Sequence, residues 1–133
     1  MLSFDRSAAR RRLADTHFDV LVIGAGEAGR LAAAALVEQG VRDVLVANRT
    51  RERAEDLAAE LGGAAYDLGD LDEVLPRADV IIAAADAPAP LVSRAMVDTA
   101  MKQRPSRPLL VIDIGVPRDV DHTAGELEGV TYY

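Results

Sequence analysis

Residues 19–29 read D-V-L-V-I-G-A-G-E-A-G, from Asp19 to Gly29. Four consecutive apolar residues, Val20 to Ile23, show no polar alternation, which predicts a strand buried on both faces. The run ends in Gly-x-Gly-x-x-Gly. An alanine-rich stretch then follows, and it predicts a helix over Glu27–Gln39 stopped by Gly40. Strand, glycine turn and helix in this order fit the opening of a dinucleotide-binding βαβ unit. Gly24 permits the tight turn, Gly26 lets the backbone approach a pyrophosphate, and Gly29 lets the helix pack closely. The helix N-terminus adds free N–H groups and a partial positive charge. Gly24, Ala25, Gly26, Glu27, Ala28 and Gly29 are therefore candidate cofactor contacts. A structural glycine turn, or an S-adenosylmethionine fold, uses similar glycines; the full strand–turn–helix context favours the dinucleotide.

The pattern repeats along the chain. Val44–Ala47 predicts a second strand and Arg51–Leu61 a helix, with Thr50 as N-cap and Gly62-Gly63 as its stop. A short strand near 64–67 and a helical turn near 71–75 come next. Asp79–Ala84 and Leu109–Ile114 read as further buried strands, with a helix over Leu91–Lys102 between them and a last strand at Val130–Tyr133. Strands alternating with helices predict an α/β fold, a doubly wound parallel sheet of the Rossmann NAD(P)-binding type. Residues 18–133 form that domain in this reading, and 1–17, helical over 7–14, form a connecting helix.

Composition narrows the function. The chain has 133 residues, 50% hydrophobic and 4% aromatic, which suits one domain with an aliphatic core. It carries 22 acidic against 15 basic residues, a net charge of −7, which argues against direct nucleic-acid binding. No apolar run is long enough to span a membrane, and no signal core follows the N-terminal arginines, so a cytoplasmic protein is expected. There is no cysteine, which excludes a thiol nucleophile and thiolate metal sites. His17 and His122 lie far apart in sequence, and no metal site is expected.

The end of the second strand carries the next signal. An NAD-binding fold places an acid there to hold the adenine ribose. This chain has Asn48, Arg49 and Thr50, followed by Arg51 and Arg53. A carboxylate would repel a 2′-phosphate, whereas an arginine pairs with it by charge and bidentate hydrogen bonds. The expected cofactor is thus NADPH, with Arg49 on the 2′-phosphate and Asn48 and Thr50 adding neutral hydrogen bonds. Losing Arg49 should cost about 1–3 kcal/mol of binding. Arg53 either reaches the same region, stacks on adenine or lies on the solvated helix face; Arg51 is assigned to that face, paired with Glu55.

The combination V-L-V-I-G-A-G-E-A-G-R, V-A-N-R-T-R-E-R-A, I-D-I-G-V-P-R-D-V-D and G-E-L-E-G-V-T-Y-Y resembles the NADPH-binding domain of glutamyl-tRNA reductase over Phe18 to Tyr133. The first two motifs are shared with shikimate dehydrogenase and its relatives; the late ones, Ile112–Asp121 and Gly125–Val130, are more specific. The resemblance implies an enzyme of three parts. A catalytic domain attacks glutamyl-tRNA through a cysteine, hydride from NADPH reduces the thioester to glutamate-1-semialdehyde for tetrapyrrole (porphyrin) synthesis, and a C-terminal domain makes a homodimer. This chain would be the middle part, binding cofactor and catalysing nothing alone. Two departures stand out. The loop after the fourth strand, usually of Ser/Thr/Gly type, is Ala84-Ala85-Asp86-Ala87, with Asp86 either a ribose partner or a loop acid. The family's Ala-Val-Pro and Asp-Pro are here Gly115-Val116-Pro117 and Asp121-His122; Gly115 and Val116 either position the nicotinamide or only turn the chain. Asp113 is read as structural, bonding loop N–H groups. The rival readings are a shikimate dehydrogenase-like reductase and a non-catalytic nucleotide-sensing module.

Overall fold

The computed structural model describes residues 18–41 and 43–133; the helix expected over 7–14 and the connecting segment lie outside them. The described residues form six strands: β1 (Asp19–Ile23), β2 (Asp43–Asn48), β3 (Ala64–Asp67), β4 (Val80–Ala83), β5 (Leu109–Asp113) and β6 (Val130–Tyr132). They make one parallel sheet in the order β3-β2-β1-β4-β5-β6. The order reverses between β1 and β4, and that switch point opens a crevice at the carboxyl ends of the strands. The helices are α1 (Glu27–Glu38), α2 (Arg51–Leu61), α3 (Leu71–Val74) and α4 (Arg94–Lys102), with a 3₁₀ turn at His122–Glu126.

Successive strand residues feed opposite layers, as the two-residue period requires. Leu21, Ile23, Leu45, Ala47, Ile81 and Ala83 pack on one face, under α3 and α4. Val20, Val22, Val44, Val46, Val80 and Ile82 pack on the other, under Ala33 of α1 and Ala54, Leu57 and Ala58 of α2. Alanines on the helices let them lie close to the sheet.

One helix boundary and one helix cap differ from expectation. The fourth helix begins at Arg94, not Leu91. Ser93 Oγ accepts the Met96 N–H at 3.1 Å and sets the start. Leu91 and Val92 instead donate their N–H groups to the Asp119 carbonyl at 2.7 and 3.0 Å, and Val92 bridges to Val120. The second helix does begin after Thr50, but the Thr50 side chain makes no capping bond. Its backbone is extended there (φ −97°, ψ 115°), and the hydroxyl is left unused by the helix.

Among the described residues two buried side chains are charged, Arg104 and Asp119. Arg104 lies at the amino edge of the sheet. It donates to the carbonyls of Pro76, Ala78, Arg107 and Pro108, and to Asp79 Oδ1 at 2.8 Å. Asp79 also accepts from Arg107 at 2.6 Å and from the Asp19 N–H at 3.0 Å. Burial works against the Asp79 carboxylate, but the Asp19 N–H and the two guanidinium groups outweigh it and hold its pKa below the usual 3.8. A folded pKa below the unfolded one means stability that is complete above pH 3.8 and is lost as pH falls through the lower folded value. Removing Asp79 would leave the Arg104 charge buried without its counter-ion. Asp79→Ala is therefore expected to lower stability by about 3 kcal/mol in urea unfolding at neutral pH, and to flatten the acid limb below about pH 4 seen in the wild type. An unchanged unfolding midpoint would contradict this role.

Candidate dinucleotide site

The carboxyl edge gathers the loops singled out from the sequence. The sheet ladder extends one residue beyond three strands: Gly24 N–H bonds to Ala47 O, Ala84 N–H to Ile23 O, and Ile114 N–H to Ala83 O, each at 2.8–2.9 Å. The loops after β1, β4 and β5 thus start in a row, and Asn48 ends β2 beside them.

The glycine turn is shaped by the β4 loop. Gly24 has φ +102°, and a Cβ there would lie 2.8 Å from the Ala84 carbonyl and from Ala85 Cα. Glycine is required twice over, by the dihedral and by the close approach. A Cβ on Gly29 would press to 3.0 Å against Ala84 Cβ, so this glycine brings α1 close to the β4 loop. Gly26 differs. Its φ is −74°, and a Cβ would meet only Ala84 O at an ordinary 3.6 Å. Nothing in the described protein demands glycine at 26; the space belongs to the solvent side, where α1 presents its first N–H groups. The residues present therefore fit a diphosphate in that cradle.

Ala25, Gly26, Glu27 and Ala28 line the outer side of the turn, with Gly26, Glu27 and Ala28 exposed. Glu27 does not stand free. Arg30 donates to it through Nε at 3.0 Å and through a second, shorter bond, and reaches Glu60 of α2 at 3.1 Å. The hydrogen bond from Arg30 holds the Glu27 carboxyl below its usual range. Its negative charge is thereby compensated beside the glycine turn.

At the end of β2 the three arginines separate. Arg51 is tied to Glu55 at 3.0 Å and to Asp67, at the end of β3, at 3.5 Å. Arg49 is exposed and makes no hydrogen bond or ion pair with another described residue. Asn48 Nδ2 donates to Thr50 O at 3.3 Å, which shapes the turn. Arg53 lines a hollow of about 260 Å³ between the glycine turn and α2, with Ala25, Arg30 and Leu57. A larger hollow of about 430 Å³ lies at the opposite edge, against Arg104 and Pro108. Its guanidinium is already satisfied by carbonyls, so volume alone does not locate the site.

Two carboxylates, Asp86 and Asp119, bind the β4 and β5 loops to each other, and a third, Asp113, braces the β5 loop from within. Asp86 is exposed, with φ +53°, and accepts the Val116 N–H at 2.8 Å. It acts as a loop acid toward the 115–117 turn. Asp113 accepts from the N–H groups of Gly115, Asp119 and Val120 at 3.1, 3.0 and 2.9 Å, and from Tyr132 Oη at 2.9 Å. Burial, with the Asp113 carboxylate beside it, pushes the Tyr132 hydroxyl up to about 12, so it stays a donor at neutral pH. Asp119, fully buried, accepts from Ala85 N–H at 2.7 Å and Ala87 N–H at 3.2 Å. Sequence reasoning missed Asp119, since an acid in a Pro-Arg-Asp loop reads as solvated. No group of His, Cys, Asp or Glu suited to a metal occurs among the described residues.

The chain is 47% identical over 113 residues to glutamyl-tRNA reductase of Chromohalobacter salexigens, covering 85% of this chain and 27% of that one. It therefore spans about a quarter of the length of such relatives. The solved glutamyl-tRNA reductase of Methanopyrus kandleri superposes with a TM-score of 0.87 at 44% identity, over 95% of this chain and 32% of that one. A structure of glutamyl-tRNA reductase from Thermoplasma volcanium (nucleotide binding domain) superposes with a TM-score of 0.61 at 19% identity, over 95% of this chain and 80% of that one, and shares the fold. Shikimate 5-dehydrogenase of Thermus thermophilus, solved with NADP(H) and shikimate, superposes with a TM-score of 0.57 at 27% identity, over 86% and 41%. The sequence profile described as shikimate / quinate 5-dehydrogenase matches residues 7–133. With that match over nearly its whole length, the chain belongs to the shikimate / quinate 5-dehydrogenase family.

Proposed function

We propose that this domain binds NADPH for a glutamyl-tRNA reductase, in which a separate catalytic domain holds the glutamyl group of the tRNA and receives the hydride. The product would be glutamate-1-semialdehyde, the entry to tetrapyrrole synthesis in the cytoplasm. NADPH supplies the hydride when bound; this chain's residues hold and orient it. Gly26 and the start of α1 take the diphosphate. Asn48, Arg49 and Thr50 take the adenosine 2′-phosphate, with Arg53 beside it. The loops Ala84–Asp86 and Gly115–Val116 flank the nicotinamide half.

The observation that carries this reading is the state of Arg49. It is an exposed guanidinium that pairs with no other described residue, at the strand end where an NAD-selective fold needs an acid. Arg51, two residues on, is held by Glu55 and Asp67 and turned to other work. The unused Thr50 hydroxyl supports the same assignment, since it is left available to a phosphate oxygen. The absence of cysteine supports the division of labour, because this chain carries no thiol to form the acyl intermediate.

Arg49→Ala should weaken NADPH binding by about 1–3 kcal/mol, roughly 5- to 150-fold, and change NADH binding by less than about twofold. Fluorescence titration of the reduced nicotinamide measures both. Equal losses for the two cofactors would remove Arg49 from the 2′-phosphate. In the same assay Arg51→Ala should alter NADPH binding by less than about threefold, since its exposed pairs are weak. A larger loss for Arg51 than for Arg49 would move the phosphate toward β3.

A further inference from the structure

The carboxylate of Asp119 lies in the interior, 0% exposed, at the crevice edge of the sheet. A buried carboxylate must be satisfied by donors, and its donors are specific. The side chain takes the peptide N–H groups of Ala85 and Ala87; the main-chain carbonyl of the same residue takes those of Leu91 and Val92. One residue of the β5 loop thus receives four N–H groups of the segment that follows β4.

Those bonds have consequences on both sides. The peptide whose N–H is held by Asp119 joins Ala84 to Ala85, and this is the peptide that presses on Gly24. The same oxygen, Oδ2, that accepts the Ala85 N–H also lies against Gly115, where a Cβ would come within 2.5 Å of it. Gly115 is in turn fixed by Asp113, and Val116 by Asp86. Val116 is therefore an apolar side chain, 83% exposed, displayed at the crevice on a backbone tied from two directions. An exposed valine on so constrained a turn has little use in the fold itself. It suits a flat, uncharged ring laid against it.

We propose that Asp119 is a positioning residue for the nicotinamide half of the dinucleotide. It locks the Ala84–Ala87 and Gly115–Val116 loops into one rigid wall. The inference rests on the dinucleotide reading above and adds to it a residue that touches no cofactor. Asp119 acts through the loops, so its loss should be felt at the nicotinamide end and not at the adenosine end, where Asn48, Arg49 and Thr50 have no bond to it.

Asp119→Asn keeps size and shape, but its amide NH₂ must face one of the two peptide N–H groups that the carboxylate accepted. The wall then opens for part of the time, and apparent affinity falls with the closed fraction. Two probes separate the ends: NADPH, and adenosine 2′,5′-bisphosphate, which lacks the nicotinamide half. Calorimetric titration of the variant should give NADPH binding about tenfold weaker and bisphosphate binding within about twofold of the wild type. Parallel losses for both probes, or no loss for NADPH, overturn the proposal. Should Asp119→Asn fail to fold, Asp86→Ala, an exposed change that frees Val116 from the same wall, must show the same split in smaller measure; an even loss or none there overturns it equally. A wild-type chain that binds neither probe refutes the dinucleotide reading itself, a result distinct from a wild type that binds both while the variants show no split.

Discussion

The approach of Gly24 to the Ala84–Ala85 peptide is the constraint on which the crevice depends. It brings the loop after β1 and the loop after β4 to 2.8 Å from where a Cβ would sit, across the point where the strand order reverses. Only glycine can close that gap, because both the dihedral and the space forbid a side chain. Once it is closed, α1 starts at a fixed height, Gly26 faces solvent, and the first N–H groups of the helix point into the crevice. Gly29 keeps the helix pressed inward against Ala84. The site is thus a consequence of backbone packing before any side chain takes part.

Side-chain charge then divides the sheet into two ends. At the amino edge Arg104 is buried and satisfied by four carbonyls and Asp79, an arrangement that closes the fold and leaves no group over for a ligand. At the carboxyl edge Asp119 is buried and satisfied by N–H groups of a loop that borders the crevice. Arginines at the end of β2 follow the same logic on the surface. Arg51 is consumed by Glu55 and Asp67, and Arg49 is left facing outward. An acidic chain can therefore still offer at the end of β2 an exposed guanidinium, Arg49, that pairs with no other described residue.

Much of this was legible in the sequence, for physical reasons. Apolar runs such as Val20–Ile23, short, without polar alternation and closed by glycine, read as strands covered on both sides, and the glycine spacing after them marks the turn. The lack of an acid at the end of β2 is legible directly from Asn48, Arg49 and Thr50. Asp113 was legible as a loop-binding acid, since it ends a buried strand. Asp119 and Arg104 were not. Each sits among residues that read as solvated, Arg118 and Asp121 near one, Lys102 and Arg107 near the other, and their burial comes from partners far along the chain. The bond from Ala85 to Asp119 spans 34 residues, and no local pattern encodes it. The start of the fourth helix was misplaced for a related reason: Leu91 and Val92 look helical by composition, yet their N–H groups are taken by Asp119. Thr50 fits a capping position by type, and only the backbone angles reveal that its hydroxyl is not so used.

The central claim is that this crevice takes NADPH with its 2′-phosphate at the end of β2. A crystal structure of the chain grown with NADPH tests it most directly. The account predicts the diphosphate over Gly26 at the start of α1, the 2′-phosphate within hydrogen-bond distance of the Arg49 guanidinium, and the nicotinamide beside Val116. A dinucleotide bound with its 2′-phosphate on Arg51, or a crevice left empty at saturating NADPH, would contradict it.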